Sequence, residues 1–129
     1  MASIFTKIVA GEIPCYKVAE DEHHLAFLDI NPNTAGHTLC IPKIETDRLM
    51  DLEAQAYSDL MNFSRKVAIA LRQVVPCKRI GMSVIGLEVP HVHVHLIPLN
   101  EMSDATFQKK VTMSPEAFES LAQKIQAVF

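Results

Sequence analysis

The chain carries little of what is needed to cross a membrane, hold a polynucleotide or form disulfides. No apolar stretch approaches the roughly 20 residues that span a bilayer, so no membrane partner is expected. Lys and Arg number 12 against 15 Asp and Glu, a net charge of −3. A polynucleotide partner calls for a cationic surplus on one face, and these totals argue against one. There are only three cysteines, Cys15, Cys40 and Cys77. Odd in number and far apart, they fit neither a disulfide framework nor a CxxC metal knuckle, and buried reduced thiols in cytoplasm are expected. The N-terminus, Met1-Ala2-Ser3-Ile4-Phe5-Thr6-Lys7, lacks a basic n-region and an h-region, so no secretory signal is expected. Repeats, linkers and low-complexity stretches are also missing.

What remains is enough for one folded unit. At 129 residues, 49% of them hydrophobic and 21% charged, the chain suits a single domain with a sizeable core and excludes wholesale disorder. Ser3 can cap a short helix over Ile4 to Ala10, closed by Gly11. Strands are expected over Cys15 to Glu20 and Leu25 to Ile30, joined by a polar turn in which His23 and His24 face solvent. Asn31-Pro32-Asn33 signals a turn. Gly36 to Pro42 forms a third strand, with Thr38 and Cys40 facing opposite to Leu39 and Ile41.

Asp47 opens the longest element. Leu49, Leu52, Ala56, Leu60, Phe63, Val67, Ala70 and Val74 recur at steps of three or four as one continuous helical stripe, stopped by Pro76. Strands Arg79 to Ile85 and Pro90 to Pro98 follow, around the loop Gly86-Leu87-Glu88. Ser114-Pro115-Glu116 then starts a last helix, with Phe118, Leu121, Ala122, Ile125 and Phe129 on its apolar face. Five strands in hairpin-like succession, with helices set apart, predict an α+β fold on an antiparallel sheet.

The segment His91-Val92-His93-Val94-His95-Leu96-Ile97-Pro98 carries the chemistry. Strand side chains alternate faces, so three imidazoles share one face while Val92, Val94 and Leu96 share the other. Successive histidines then stand about 6.7 Å apart along the strand. His91 and His95 lie about 13 Å apart, so three rings converging on one metal would be strained. A metal would need two of them plus Cys40, His37 or Glu45, which the spacing does not single out, and no metal or cofactor is expected. A neutral imidazole is a good nucleophile toward phosphorus, and a flanking one can orient it.

This run resembles the His-φ-His-φ-His-φ-φ signature of the histidine triad (HIT) superfamily, where φ is apolar. Ile4-Phe5-Thr6-Lys7-Ile8-Val9, Gly11-Glu12-Ile13-Pro14, Ala26-Phe27-Leu28-Asp29-Ile30-Asn31-Pro32 and Gly36-His37-Thr38-Leu39-Cys40-Ile41-Pro42-Lys43 are similar to its Hint branch. The resemblance covers roughly residues 3–98. It implies a HIT-like domain over residues 1–129, with a five-stranded antiparallel sheet, a long helix, a short N-terminal helix and a C-terminal helical extension. It also implies a homodimer, which the Leu49–Val74 stripe could help form.

The implied reaction moves a nucleoside monophosphate onto His93 and then to water, with a purine nucleotide or nucleotidyl conjugate of phosphoramidate type as partner. By the same resemblance His91 and His95 flank the nucleophile and His37 supports it. Asp29 would hold the ribose, and Ile4, Phe5, Ile8, Phe27 and Ile30 the base. Dinucleoside polyphosphate hydrolysis, or a nucleotide-binding scaffold with reduced catalysis, are the alternatives.

Departures cluster at the phosphate. Ile85, Leu87 and Glu88 stand where relatives carry Asn, Gln and Ser or Thr, and Leu99 stands where many carry Arg. There is no Trp-Pro segment, and residues 100–129 have no counterpart in the resemblance. Glu88 is the expected contact to the leaving group.

Overall fold

The computed structural model describes residues 2–129. Its elements run α1 (Ile4–Val9), β1 (Lys17–Glu20), β2 (His24–Leu28), β3 (Thr38–Pro42), α2 (Ala54–Val74), β4 (Arg79–Ser83), β5 (Val94–Leu99) and α3 (Pro115–Val128), with 3-10 turns at Leu49–Asp51 and Met102–Ala105. The five strands form one antiparallel sheet in the order β1-β2-β3-β5-β4. The fold is α+β, as the sequence implies. Among the described residues no helix is long and apolar enough to cross a membrane.

Alternation assigns each strand residue to a face. Ala26 and Leu28 of β2, Cys40 of β3, and Val92, Val94 and Leu96 pack under Leu60, Phe63, Val67 and Leu71 of α2 and Phe118, Ala122 and Ile125 of α3. Leu25, Phe27, Leu39 and Ile41 form a second cluster with Phe5 of α1 on the far face. Burying a side chain such as Leu60 or Ile125 contributes about 1.5–3 kcal/mol. Both helices lie on one face of the sheet, so the histidine-bearing face is covered only by α1 and loops.

Several boundaries differ from the sequence reading. The strand expected over Pro90 to Pro98 starts at Val94. Its ladder with β3 ends at Cys40↔Val94, because Pro42 has no N–H to continue it; the Val92 N–H instead donates to the Thr46 carbonyl at 2.7 Å. The other strands are each two residues shorter, apart from β2, which is shifted to start at His24.

The stripe from Leu49 is interrupted. Leu52 and Glu53 are extended, and α2 begins at Ala54. Leu49 and Leu52 pack against the same core from beyond the break, so their spacing records burial and not helix continuity. The stripe also lies in the protomer's own core, which removes it as a dimer surface; Tyr57 and Ile69 are the large exposed apolar residues of α2. His24 is buried, contrary to expectation. Its Nδ1 lies 2.9 Å from an Asp21 carboxylate oxygen, and its ring stacks on Phe63 at 5.0 Å. His23 is exposed as expected.

Candidate active site

The imidazoles of His91, His93 and His95 are all buried, and their hydrogen bonds assign their tautomers. His91 Nε2 lies 2.8 Å from the Pro42 carbonyl oxygen, which can only accept. Neutral His91 is therefore protonated at Nε2, and its Nδ1 accepts from the Ser3 hydroxyl at 2.8 Å. The Ser3 side chain also caps α1 by accepting from the Thr6 N–H. Glu45 completes this group, accepting from the Ser3 N–H at 2.7 Å and from the Thr6 hydroxyl at 2.6 Å. Those bonds, the Thr6 one foremost, hold the Glu45 carboxyl down to about 2.

His93 follows the same logic. Its Nδ1 lies 2.8 Å from the His91 carbonyl oxygen, so Nδ1 carries the proton and Nε2 keeps a free lone pair. Phe5 stands edge-on against this ring, centroids 4.9 Å apart.

The third histidine is set by a relay. The Asn33 N–H donates to His37 Nδ1 at 3.0 Å, so neutral His37 is protonated at Nε2. That Nε2 lies 2.9 Å from His95 Nδ1 and donates to it. His95 Nδ1 is thus the acceptor, and its proton sits on Nε2. Burial above all pushes His37 down to about 3 and His95 down to about 4, keeping both rings neutral near pH 7. Gly36 makes this placement possible: its φ is +97°, and a Cβ there would lie 2.9 Å from Val75 Cγ2.

Asp29 follows β2. Its carboxylate takes the Asn31 N–H at 2.9 Å and lies 3.6 Å from His37 Nε2. Desolvation raises its pKa. Asp29, His37 and His95 each offer a possible metal donor within 4.8 Å of one another. As arranged, however, the His37 and His95 nitrogens share a proton, which an ion would have to displace.

Two adjoining hollows meet at His93 and His95. The inner one, about 260 Å³, is apolar and lined by Ile4, Phe5, Ile8, Phe27 and Ile30, with Asp29 at its edge. All five residues expected around a base border this one space. The outer hollow, about 570 Å³, is lined by Asp29, Ile85, Leu87, Glu88, Thr106, Phe107 and Lys110 as well as the two histidines. Glu88 borders both hollows, and its side chain is exposed.

Phe107 and Lys110 were not anticipated from sequence. Phe107 has φ +64°, and among the described residues it is the only non-glycine with positive φ. It holds that strained conformation while standing edge-on to His95, centroids 4.9 Å apart.

An open antiparallel sheet bearing a buried imidazole with a free Nε2, beside an apolar hollow edged by a carboxylate, defines a candidate site of the histidine triad class. The sequence matches the HIT domain family over residues 10–102. Adenosine 5'-monophosphoramidase hnt1 of Schizosaccharomyces pombe is 35% identical over 131 residues, covering 98% of this chain and 98% of that protein. Among solved structures, a HIT-like protein from Bartonella henselae superposes with a TM-score of 0.85 at 30% identity, covering 98% of this chain and 96% of that one. A hypothetical histidine triad nucleotide-binding protein from Sulfolobus tokodaii gives 0.82 at 27% identity, covering 96% and 89%. This chain belongs to the HIT family.

Proposed function

We propose that this protein is a HIT-type nucleotide hydrolase that cleaves nucleoside monophosphate conjugates of the phosphoramidate type through a nucleotide carried on His93. The observation that carries the reading is the free Nε2 of His93, fixed by the Nδ1–H bond to the His91 carbonyl, at the junction of the two hollows. The similarity to an adenosine 5'-monophosphoramidase supports the substrate class.

In this reading the purine lies against Phe5, Ile8 and Phe27, and Asp29 accepts from the ribose hydroxyls. His93 Nε2 attacks phosphorus. The phosphorus–nitrogen bond of the substrate breaks, and the leaving nitrogen takes the electron pair and a proton from solvent water to depart as an amine, with Glu88 as its contact. Water then breaks the phosphorus–Nε2 bond, releasing the nucleoside monophosphate and free His93. The neutral His37–His95 pair keeps positive charge away from the imidazole wall and holds it in place. The protein works without a metal, in the cytoplasm and as a homodimer; exposed Met82 on the edge strand β4 is in keeping with a further copy there.

The test is turnover of adenosine 5'-phosphoramidate in the presence of EDTA, beside a diadenosine polyphosphate. Release of AMP and ammonia, undiminished by EDTA, is expected. The size of the outer hollow favours a second reading in which the leaving group is itself a nucleotide, and faster cleavage of the polyphosphate would select it.

A further inference from the structure

Lys110 is a cation without an anionic partner. Its Nζ donates to the Asn31 carbonyl at 3.0 Å and to Asn33 Oδ1 at 2.8 Å, both neutral acceptors. An ammonium has three N–H donors, and among the described residues no carboxylate lies within ion-pair distance of this one. The neighbouring lysine behaves differently: Lys109 Nζ lies 2.9 Å from a Glu101 carboxylate oxygen and 3.6 Å from one of Asp104.

Docking the segment does not require the charge. Asn33 Nδ2 donates to the Asp104 carbonyl at 3.0 Å, and the Val111 N–H donates to the Pro32 carbonyl at 3.0 Å, tying residues 104–111 to the β2–β3 loop. Lys110 nevertheless lines the outer hollow with His93 and His95, where it is the sole Lys or Arg among the described residues. Its Nζ sits 5.2 Å from the centroid of the Phe107 ring, which packs on His95.

The loop from Ile85 to Glu88 brings no cationic side chain to the hollow. Ile85 and Leu87 have no side-chain donors, and Glu88 is a carboxylate that repels negative charge. Asn31 and Thr106 add neutral polar side chains to the lining, so among the described residues Lys110 alone brings a lysine or arginine charge to a phosphate at His93.

We propose that Lys110 is the oxyanion-binding residue of this site, supplied by the segment after β5, and that its free N–H contacts a phosphate or carboxylate oxygen of the substrate. The proposal rests on the hydrolase reading for the identity of the substrate but not for the presence of an anion subsite. The oxyanion is either the phosphate attached to the nucleoside or an acidic group on the leaving partner.

Binding of adenosine, AMP and inorganic phosphate to wild type, Lys110→Met and Lys110→Arg separates these sources, together with KM and kcat for conjugates of neutral and carboxylate-bearing amines. A lost charged hydrogen bond should weaken AMP about tenfold or more in Lys110→Met and leave adenosine within about twofold, with Lys110→Arg restoring most of the loss. If the oxyanion belongs to the leaving partner, AMP stays unchanged, and KM rises only for the carboxylate-bearing conjugate. The proposal is overturned if neither quantity moves, or if adenosine and AMP weaken together, which marks Lys110 as a structural tie. A wild type that binds AMP through Lys110 without turning over any conjugate would retain the anion subsite and reject the hydrolase reading. A wild type that binds neither adenosine nor AMP rejects both.

Discussion

At the scale of single residues, each imidazole of this site has its protonation fixed by one acceptor or donor that cannot change role. The Pro42 and His91 carbonyls can only accept, and the Asn33 N–H can only donate. The alternation of His91, His93 and His95 was legible because strand periodicity needs nothing beyond local sequence. The distant side chains gathered around them were not. Ser3 meets His91 across 88 positions, and Lys110 meets Asn33 across 77. The buried side of His24 was misread for a related reason, since a polar turn sequence does not reveal that Phe63 lies behind it. Asp29→Ala should weaken AMP about tenfold or more while barely affecting inorganic phosphate, as titration of both ligands can show. Equal loss of both would place Asp29 away from the ribose. Glu88→Ser should replace a repelling carboxylate with a hydroxyl donor and tighten AMP; an unchanged affinity would leave Glu88 as an exposed loop residue.

At the scale of elements, α1 couples folding to the site, because the hydroxyl that caps it also holds His91. Ser3→Ala removes the cap and leaves His91 Nδ1 without its donor, so a loss of about 2 kcal/mol is expected in denaturant unfolding, accompanied by slower turnover. A variant with wild-type stability and rate would separate α1 from the site. Strand and helix order followed from the sequence, whereas element ends did not. The helical stripe continued through a break that it could not register, and β5 began late because its partner ran into Pro42. Residues 100–129 read as a helical extension without a counterpart in the family resemblance, yet Thr106, Phe107 and Lys110 line the outer hollow.

At the scale of the whole molecule, two buried neutral histidines tie stability to pH. An unfolded imidazole gains its proton as pH falls through about 6.5, while folded His95 and His37 resist until about 4 and about 3. The unfolded state then binds more protons, so stability held above pH 6.5 is lost progressively as pH falls below it. The slope is at most about 1.4 kcal/mol per pH unit for each group. Thermal midpoints at pH 7, 6 and 5 should fall in that order, and His95→Asn should flatten the decline. A constant midpoint would mean that these rings protonate freely in the folded protein.

The central claim is that His93 Nε2 attacks phosphorus. The direct measurement mixes enzyme with adenosine 5'-phosphoramidate, quenches within a turnover under alkaline conditions and locates the label by peptide mass. The account predicts an acid-labile adenylyl group on His93, absent from His93→Ala, which should stay folded because Val92 and Val94 on the opposite face are untouched. A folded His93→Ala that turns over substrate at the wild-type rate, or an adenylyl group found on another residue, would contradict it.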